Sequence, residues 1–326
     1  MLVLSGCRPA DQTSALAKVA SVESSPLPNP LSNAALKLRS YPGSDIKIES
    51  ELPATATYTQ YIGSYDSDGL KIYGLLTIPK GTPPEGGWPA IIFNHGYIPP
   101  EEYRTTEKYV AYVGGFASKG FVVFKPDYRG HGSSEGDASS AYFSNGYTID
   151  VLNALASVRK LKEVDKDRVG MWGHSMGGSI TVRSISVDRS LKAAVIWAGV
   201  VADYPQLVNE WRRSNSWRPS QQQQMATRSS RAQLIEQFGN PSQQSPFWAM
   251  ISPWADLAEI ETPVQLHHAT GDADVPWEFS QTFHDKLQSL QKPSELYIYE
   301  RSDHNLSGTT FSQAMSRSVK FFQDNL

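Results

Sequence analysis

Hydrophobic positions fall into two rhythms along this chain. Short runs that are almost wholly apolar, such as Ala90-Ile91-Ile92-Phe93 and Phe121-Val122-Val123-Phe124, recur at intervals. Runs of that length, rich in β-branched and aromatic residues, read as strands buried on both faces. Between them lie longer segments with an apolar residue every three or four positions. The last is the clearest, with Phe311, Met315, Val319, Phe322 and Leu326 on one helical face. Phe279, Phe283, Leu287 and Leu290 repeat the pattern further back.

The pattern predicts strands over 57–64 and 71–79, joined by the turn Asp66-Ser67-Asp68-Gly69. Thereafter strands and helices alternate. Strand 90–94 is followed by a helix near 105–119, strand 121–126, helix 147–161, strand 168–174 and helix 176–187. Strands 192–198 and 263–269, helix 277–290, strand 295–299 and helix 310–325 complete the series. Alternation of this kind predicts an α/β fold, a mostly parallel sheet with helices on both faces and the hairpin as an antiparallel edge. The rhythm breaks between about 200 and 256, a polar and aromatic stretch with Trp211, Trp217, Phe247, Trp248, Trp254 and a glutamine run at 221–224. A structureless loop of that length is uncommon in a compact domain, so the stretch predicts a small helical cap.

Candidate chemistry sits where strands end. Strand 168–174 runs into Gly173-His174-Ser175-Met176-Gly177 and then a helix, the G-x-S-x-G arrangement of a nucleophile elbow. A serine hydroxyl must stand clear of the backbone to reach a carbonyl carbon, and a tight strand-to-helix turn lifts it there. The two glycines let strand, turn and helix approach without Cβ clashes, and the helix presents free N–H groups toward a developing oxyanion. Downstream, Asp272 and Asp274 follow the strand at 263–269, and His304 follows the strand at 295–299. Serine, then an acid, then histidine is the order of a hydrolytic triad on such a sheet, with either aspartate as the acid.

The set HGY at 95–97, DYRGHGSSEG at 127–136, GHSMGG at 173–178, GDADVP at 271–276 and DHN at 303–305 resembles the α/β-hydrolase superfamily from about Tyr58 onward. More closely, the stretch from Asp167 through Gly178, with Phe238-Gly239-Asn240-Pro241, Ile251-Ser252-Pro253 and Val275-Pro276, resembles the catalytic domain of the prolyl oligopeptidase family. The resemblance implies an α/β-hydrolase fold and places the acid three residues before the Val of the Val-Pro pair, at Asp272. It also implies an oxyanion hole made by the backbone N–H groups of Met176 and Tyr97, with the Tyr97 hydroxyl as an alternative donor. Ser175 would then attack an acyl carbon, His304 would take and return its proton, and Asp272 would hold the imidazole tautomer. Asp274, two residues before Pro276, suits a helix N-cap. His267 and His268 read as structural, His284 as a mid-helix side chain, and Arg129 and His131 as organisers of their loop. The long β-propeller of the peptidase members has no counterpart in this sequence, and stand-alone domains of this kind resemble carboxylesterases.

Composition narrows the choice. A hydrophobic share of 40% supports an ordinary core, and a formal charge of −3 gives no electrostatic footprint for nucleic acid. No HExxH, Walker loop or helix-opening GxGxxG occurs, so no metal, nucleotide or dinucleotide cofactor is expected. The single cysteine, Cys7, closes Leu4-Ser5-Gly6-Cys7, which resembles a bacterial lipobox. The expectation is a lipidated Cys7, a lipoprotein-like leader and flexible tether over residues 1–40, a hydrolase domain over 41–326, and a place in a bacterial cell envelope. The expected activity is a serine carboxylesterase on short-chain or aromatic, even hydroxycinnamoyl, esters. A prolyl-oligopeptidase-type peptidase or amidase is the alternative. An intact Ser–Asp–His set argues against a non-catalytic binding protein on a retired hydrolase fold.

Overall fold

The computed structural model describes residues 27–211 and 221–326. Cys7, most of the expected leader and Trp217 lie outside the described residues. After a short helix α1 (Asn33–Lys37) come β1 (Lys47–Leu52), β2 (Tyr58–Ser67) and β3 (Leu70–Pro79). The series continues with β4 (Trp88–Asn94), α2 (Val110–Ala117), β5 (Val122–Pro126), α3 (Gly146–Val158), β6 (Val164–His174), α4 (Met176–Val187) and β7 (Ala194–Trp197). An insertion follows, with a π-helical turn Gln206–Glu210, α5 (Gln221–Phe238), α6 (Pro246–Ile251) and a 3-10 turn Leu257–Glu259. β8 (Val264–Ala269), α7 (Glu278–Ser289), β9 (Ser294–Tyr299) and α8 (Thr309–Asn325) close the chain.

The nine strands form one sheet in the order β1-β2-β3-β5-β4-β6-β7-β8-β9. β1, β2 and β3 pair antiparallel, β3 meets β5 antiparallel, and every pairing from β5 to β9 is parallel. This is the α/β-hydrolase arrangement. β4 shows why the apolar run is continuous. Ala90 and Ile92 join the core under α3, α4 and α7, while Ile91 and Phe93 join the opposite core under α2 and α8. With helices on both faces, a period-two side-chain alternation leaves no polar face.

Three departures from the pattern bear on the packing. β1 carries the charged sequence KIESEL and is mostly exposed, so its apolar rhythm is too weak to mark a strand; pairing to β2 alone makes it one. The helix expected near 105–119 shrinks to Val110–Ala117. Residues 31–37, which composition groups with the tether, pack against α4. The buried Arg183 guanidinium donates to the Leu31 carbonyl and, at 2.9 Å, to Asn33 Oδ1. The same guanidinium reaches the Ile251 carbonyl at 2.7 Å, so one cation ties the N-terminal segment and the insertion to the helix that follows Ser175.

Candidate active site

Ser175 stands between β6 and α4 with φ 55° and ψ −119°. For a residue with a Cβ this left-handed geometry costs about 1–3 kcal/mol and persists only where neighbours hold it. Here the Ser175 N–H donates to the Trp197 carbonyl at 3.1 Å, and its own carbonyl accepts from Gly178 and Val200, each at 2.9 Å. The flanking glycines are obligatory for a different reason. A Cβ on Gly177 would fall 2.0 Å from the Asn94 carbonyl oxygen, and one on Gly173 would fall 2.4 Å from Thr181 Oγ1. No side chain fits where β4, β6 and α4 meet.

The tertiary structure brings Asp272 and His304 to the same end of the sheet. Asp272 follows β8 and His304 follows β9, so both sit beyond the carboxyl ends of parallel strands. His304 is carried on an Asx turn in which Asp303 Oδ1 accepts from the N–H groups of Asn305 and Ser307, at 3.1 and 2.9 Å. Its Nδ1 lies 2.7 Å from Asp272 Oδ2. A neutral imidazole donating there keeps its lone pair on Nε2. Ser175, His304 and Asp274 line one cavity of about 230 Å³ with Gly96, Tyr97 and Trp211.

The Asp272 side chain is wholly buried yet fully partnered. Oδ2 also accepts from His268 Nε2 at 3.1 Å, and Oδ1 accepts from the N–H groups of Asp274 and Val275 at 2.8 and 2.9 Å. Burial alone would push this carboxyl up. The hydrogen bonds from His268 and His304 outweigh it and hold Asp272 well below the usual carboxylate range. Among the described residues, Asp272, Asp274 and His304 are the one group of acids and histidines close enough to share a cation. Four hydrogen bonds already occupy the Asp272 oxygens, so this donor set suits an imidazole better than a metal.

Asp274 is not the helix cap that its spacing suggests. α7 begins at Glu278 with Trp277 before it, and Asp274 instead lines the cavity, its carbonyl accepting from Trp211 Nε1 at 2.9 Å. His267 is structural, bonded to Gln265 and Tyr299. His268 is more than structural, because it is the second imidazole on Asp272. The signal was its position four residues before that acid, facing back from the end of β8. Arg129 anchors its loop through Asp150, with Nε at 3.0 Å and a terminal nitrogen at 2.7 Å.

The loop after β4 carries Tyr97. His95 is fully buried between the rings of Tyr103 and Tyr128, at 4.6 and 4.3 Å between centroids. Burial holds it neutral, well below the usual histidine value, so it owns one N–H. Nδ1 is 2.7 Å from the Gly96 carbonyl, against 3.4 Å from Nε2 to the Asp127 carbonyl, and the shorter contact takes the proton. That bond fixes the peptide between Gly96 and Tyr97. Because the peptide is planar and trans, the Tyr97 N–H faces the opposite way from the Gly96 carbonyl. Met176, the first residue of α4, directly follows Ser175.

Of the insertion tryptophans, Trp211 lines the cavity, edge-to-face with Tyr142 at 6.0 Å. Trp248 is buried, and Trp254 packs on the core with Nε1 bonded to the Val201 carbonyl.

The prolyl oligopeptidase family matches residues 107–326 of this chain. The chain is 25% identical over 245 residues to "Uncharacterized peptidase YtmA" of Bacillus subtilis, covering 75% of this chain and 85% of that protein. Among solved structures, the acetyl xylan esterase from Paenibacillus sp. R4 superposes with a TM-score of 0.65 at 18% identity, over 90% of this chain and 92% of its own. Dipeptidyl peptidase 4 of Porphyromonas gingivalis superposes with a TM-score of 0.61 at 21% identity, over 83% of this chain. The chain spans only 36% of that peptidase's length. At these identities the structural likeness speaks for the fold. The family match, over more than half of the chain and through every loop that carries Ser175, Asp272 and His304, makes this protein a hydrolase of the prolyl oligopeptidase family with the α/β-hydrolase fold.

Proposed function

We propose that this protein is a serine carboxylesterase that works through an acyl-enzyme on short-chain or aromatic esters. Ser175 Oγ attacks the acyl carbon while His304 Nε2 takes its proton. Asp272 holds the imidazole by its Nδ1–H and stabilises the imidazolium. The tetrahedral oxyanion is met by the N–H groups of Met176 and Tyr97, each worth about 2.7–4 kcal/mol in known oxyanion holes. The alcohol leaves with the proton from His304, and water repeats the sequence on the acyl-enzyme.

The observation that carries the ester reading is the make-up of the cavity. Tyr97, Tyr142 and Trp211 give it aromatic walls, and among the described residues Asp274 is the one carboxylate lining it. The insertion's other described acids do not line it: Asp203 is tied to Gln206 and Gln243, Asp256 and Glu259 pair with Lys37, and Glu210 and Glu236 are exposed. A peptidase must grip a peptide and protonate a departing nitrogen, whereas an ester asks for little beyond the triad and the oxyanion hole. Match to the peptidase family favours amide cleavage as the second reading.

A panel of p-nitrophenyl acetate, methyl hydroxycinnamates and aminoacyl p-nitroanilides separates them. The expected kcat/KM for esters exceeds that for matched anilides at least ~100-fold, about 2.7 kcal/mol in transition-state binding. Ser175→Ala should abolish turnover of every member. Efficient cleavage of a prolyl or dipeptidyl anilide, with weak ester turnover, would establish the peptidase.

A further inference from the structure

Two side chains outside the triad join its parts. Tyr109, immediately before α2, has its hydroxyl 2.8 Å from the Gly96 nitrogen and 2.7 Å from His174 Nδ1. His174, the residue before the nucleophile, has Nε2 2.9 Å from the main-chain carbonyl of His304. The oxyanion loop, the elbow and the His304 loop thus meet on one hydrogen-bonded line.

The protons on this line can be placed one way only. Burial, with His304 beside it, pushes His174 down to about 3, so the ring is neutral and has a single N–H. The His304 carbonyl can only accept, which puts that N–H on Nε2 and leaves Nδ1 as an acceptor. Tyr109 must therefore donate to Nδ1, and burial keeps its phenol protonated by raising it far above its ordinary value. With its proton spent there, its oxygen lone pair accepts the Gly96 N–H. Every donor meets an acceptor: Gly96 N–H to Tyr109, Tyr109 O–H to His174, His174 Nε2–H to the His304 carbonyl. The fit is also steric. A Cβ on Gly96 would lie 2.6 Å from the Tyr109 hydroxyl, 3.1 Å from His174 Nδ1 and 3.1 Å from Ser175 Cβ.

We propose that Tyr109 and His174 are positioning residues for the hydrolytic reaction, coupling the oxyanion-hole loop at Gly96-Tyr97 to the backbone of His304 through one directional hydrogen-bond chain. The chain sets where the oxyanion donor and the base stand relative to each other across Ser175. Its effect falls on the transition state, in which both must be in place, and not on ground-state binding. The proposal rests on Ser175, Asp272 and His304 as the triad, which loss of turnover in Ser175→Ala tests separately.

The test is Tyr109→Phe, which keeps the ring packed against Phe93 (5.5 Å between centroids) and removes both hydrogen bonds. Expected is a fall in kcat of about 10–100-fold with KM within about threefold, per folded enzyme counted by thermal melt. Affinity for a trifluoromethyl ketone, which forms the tetrahedral adduct, should fall by the same factor as kcat. His174→Leu should cost at least as much, and His174→Gln, which can still present an N–H, less. The double variant Tyr109→Phe, His174→Leu should be no worse than the poorer single variant, because cutting one chain twice costs little more than once. Unchanged kcat in Tyr109→Phe, losses that multiply in the double variant, or a loss confined to KM would overturn the coupling.

Discussion

Four of the five histidines that are at most 2% exposed, His95, His131, His174 and His267, lie well below the ordinary histidine value. Burial is the leading cause in each case, and it pushes His131 down to about 4, His174 and His267 to about 3, and His95 well below the usual value. In the unfolded chain all four return to about 6.5. The sign follows directly. Above about pH 6.5 neither state binds these protons and the folded state holds its full advantage; as pH falls below that value the unfolded chain takes up protons that the folded chain refuses. For one such group the stability lost by pH 5 is about 2 kcal/mol, so four amount to about 8 kcal/mol. That is comparable to the whole stability of a typical domain, about 5–15 kcal/mol. Asp272, held below the usual carboxylate range, loses its contribution only below about pH 4, outside this window. The buried Asp127 carboxyl is raised and acts in the opposite sense, one group against four. Urea unfolding followed by tryptophan fluorescence at pH 7.5, 6.5 and 5.5 should show a midpoint that falls steeply below pH 6.5 at constant m. The expected slope is about 5 kcal/mol per pH unit near pH 5.5. His131→Gln should remove about a quarter of that slope, one proton of four. A midpoint that stays flat from pH 7.5 to 5.5 would refute burial as the state of these rings. It would also remove the neutral His174 on which the Tyr109 chain depends.

Further tests concern the site itself. Asp272→Asn should lower kcat by roughly 10⁴-fold, as loss of the orienting carboxylate does in known triads, while Asp274→Asn should cost less than about tenfold. Steady-state kinetics with the reverse ranking would move the acid to Asp274. Trp211→Ala should lower kcat/KM for a methyl hydroxycinnamate at least ~10-fold more than for p-nitrophenyl acetate, since an aromatic wall contributes about 1.5–3 kcal/mol to a matching ring. An equal loss on both esters would reduce Trp211 to a packing role, against Tyr142, Phe279 and the Asp274 carbonyl.

The local code of the sequence reaches as far as local physics does. Two-sided burial makes β4, β5, the second half of β6 and β7 legible as largely apolar runs, and the periods of α7 and α8 follow from one buried face each. The elbow could be read because its geometry is forced by neighbours in sequence: Ser175 needs a tight turn and Gly177 cannot carry a Cβ. β1 was not legible, because its only structural reason is a hydrogen-bonded edge on β2 and its side chains are mostly solvated. The segment at 31–37 was misplaced for a similar reason, its anchor being Arg183, 150 residues away from Asn33.

The same division runs through the site. Order along the chain offered Asp272 or Asp274 as the acid partner of His304, with family resemblance pointing to Asp272. Only the tertiary structure set a carboxylate oxygen 2.7 Å from His304 Nδ1 and brought His268 onto the same oxygen. Composition marked the insertion as aromatic, yet which tryptophan meets the cavity depended on how the insertion folds back over the sheet. Tyr109 and His174 carry no motif that assigns them a partner, because their hydrogen bonds join the ends of three different strands. A sequence dictates what each short segment buries and how sharply it turns. Which distant polar groups end within 3 Å of one another is decided only when the sheet assembles and its strand ends converge.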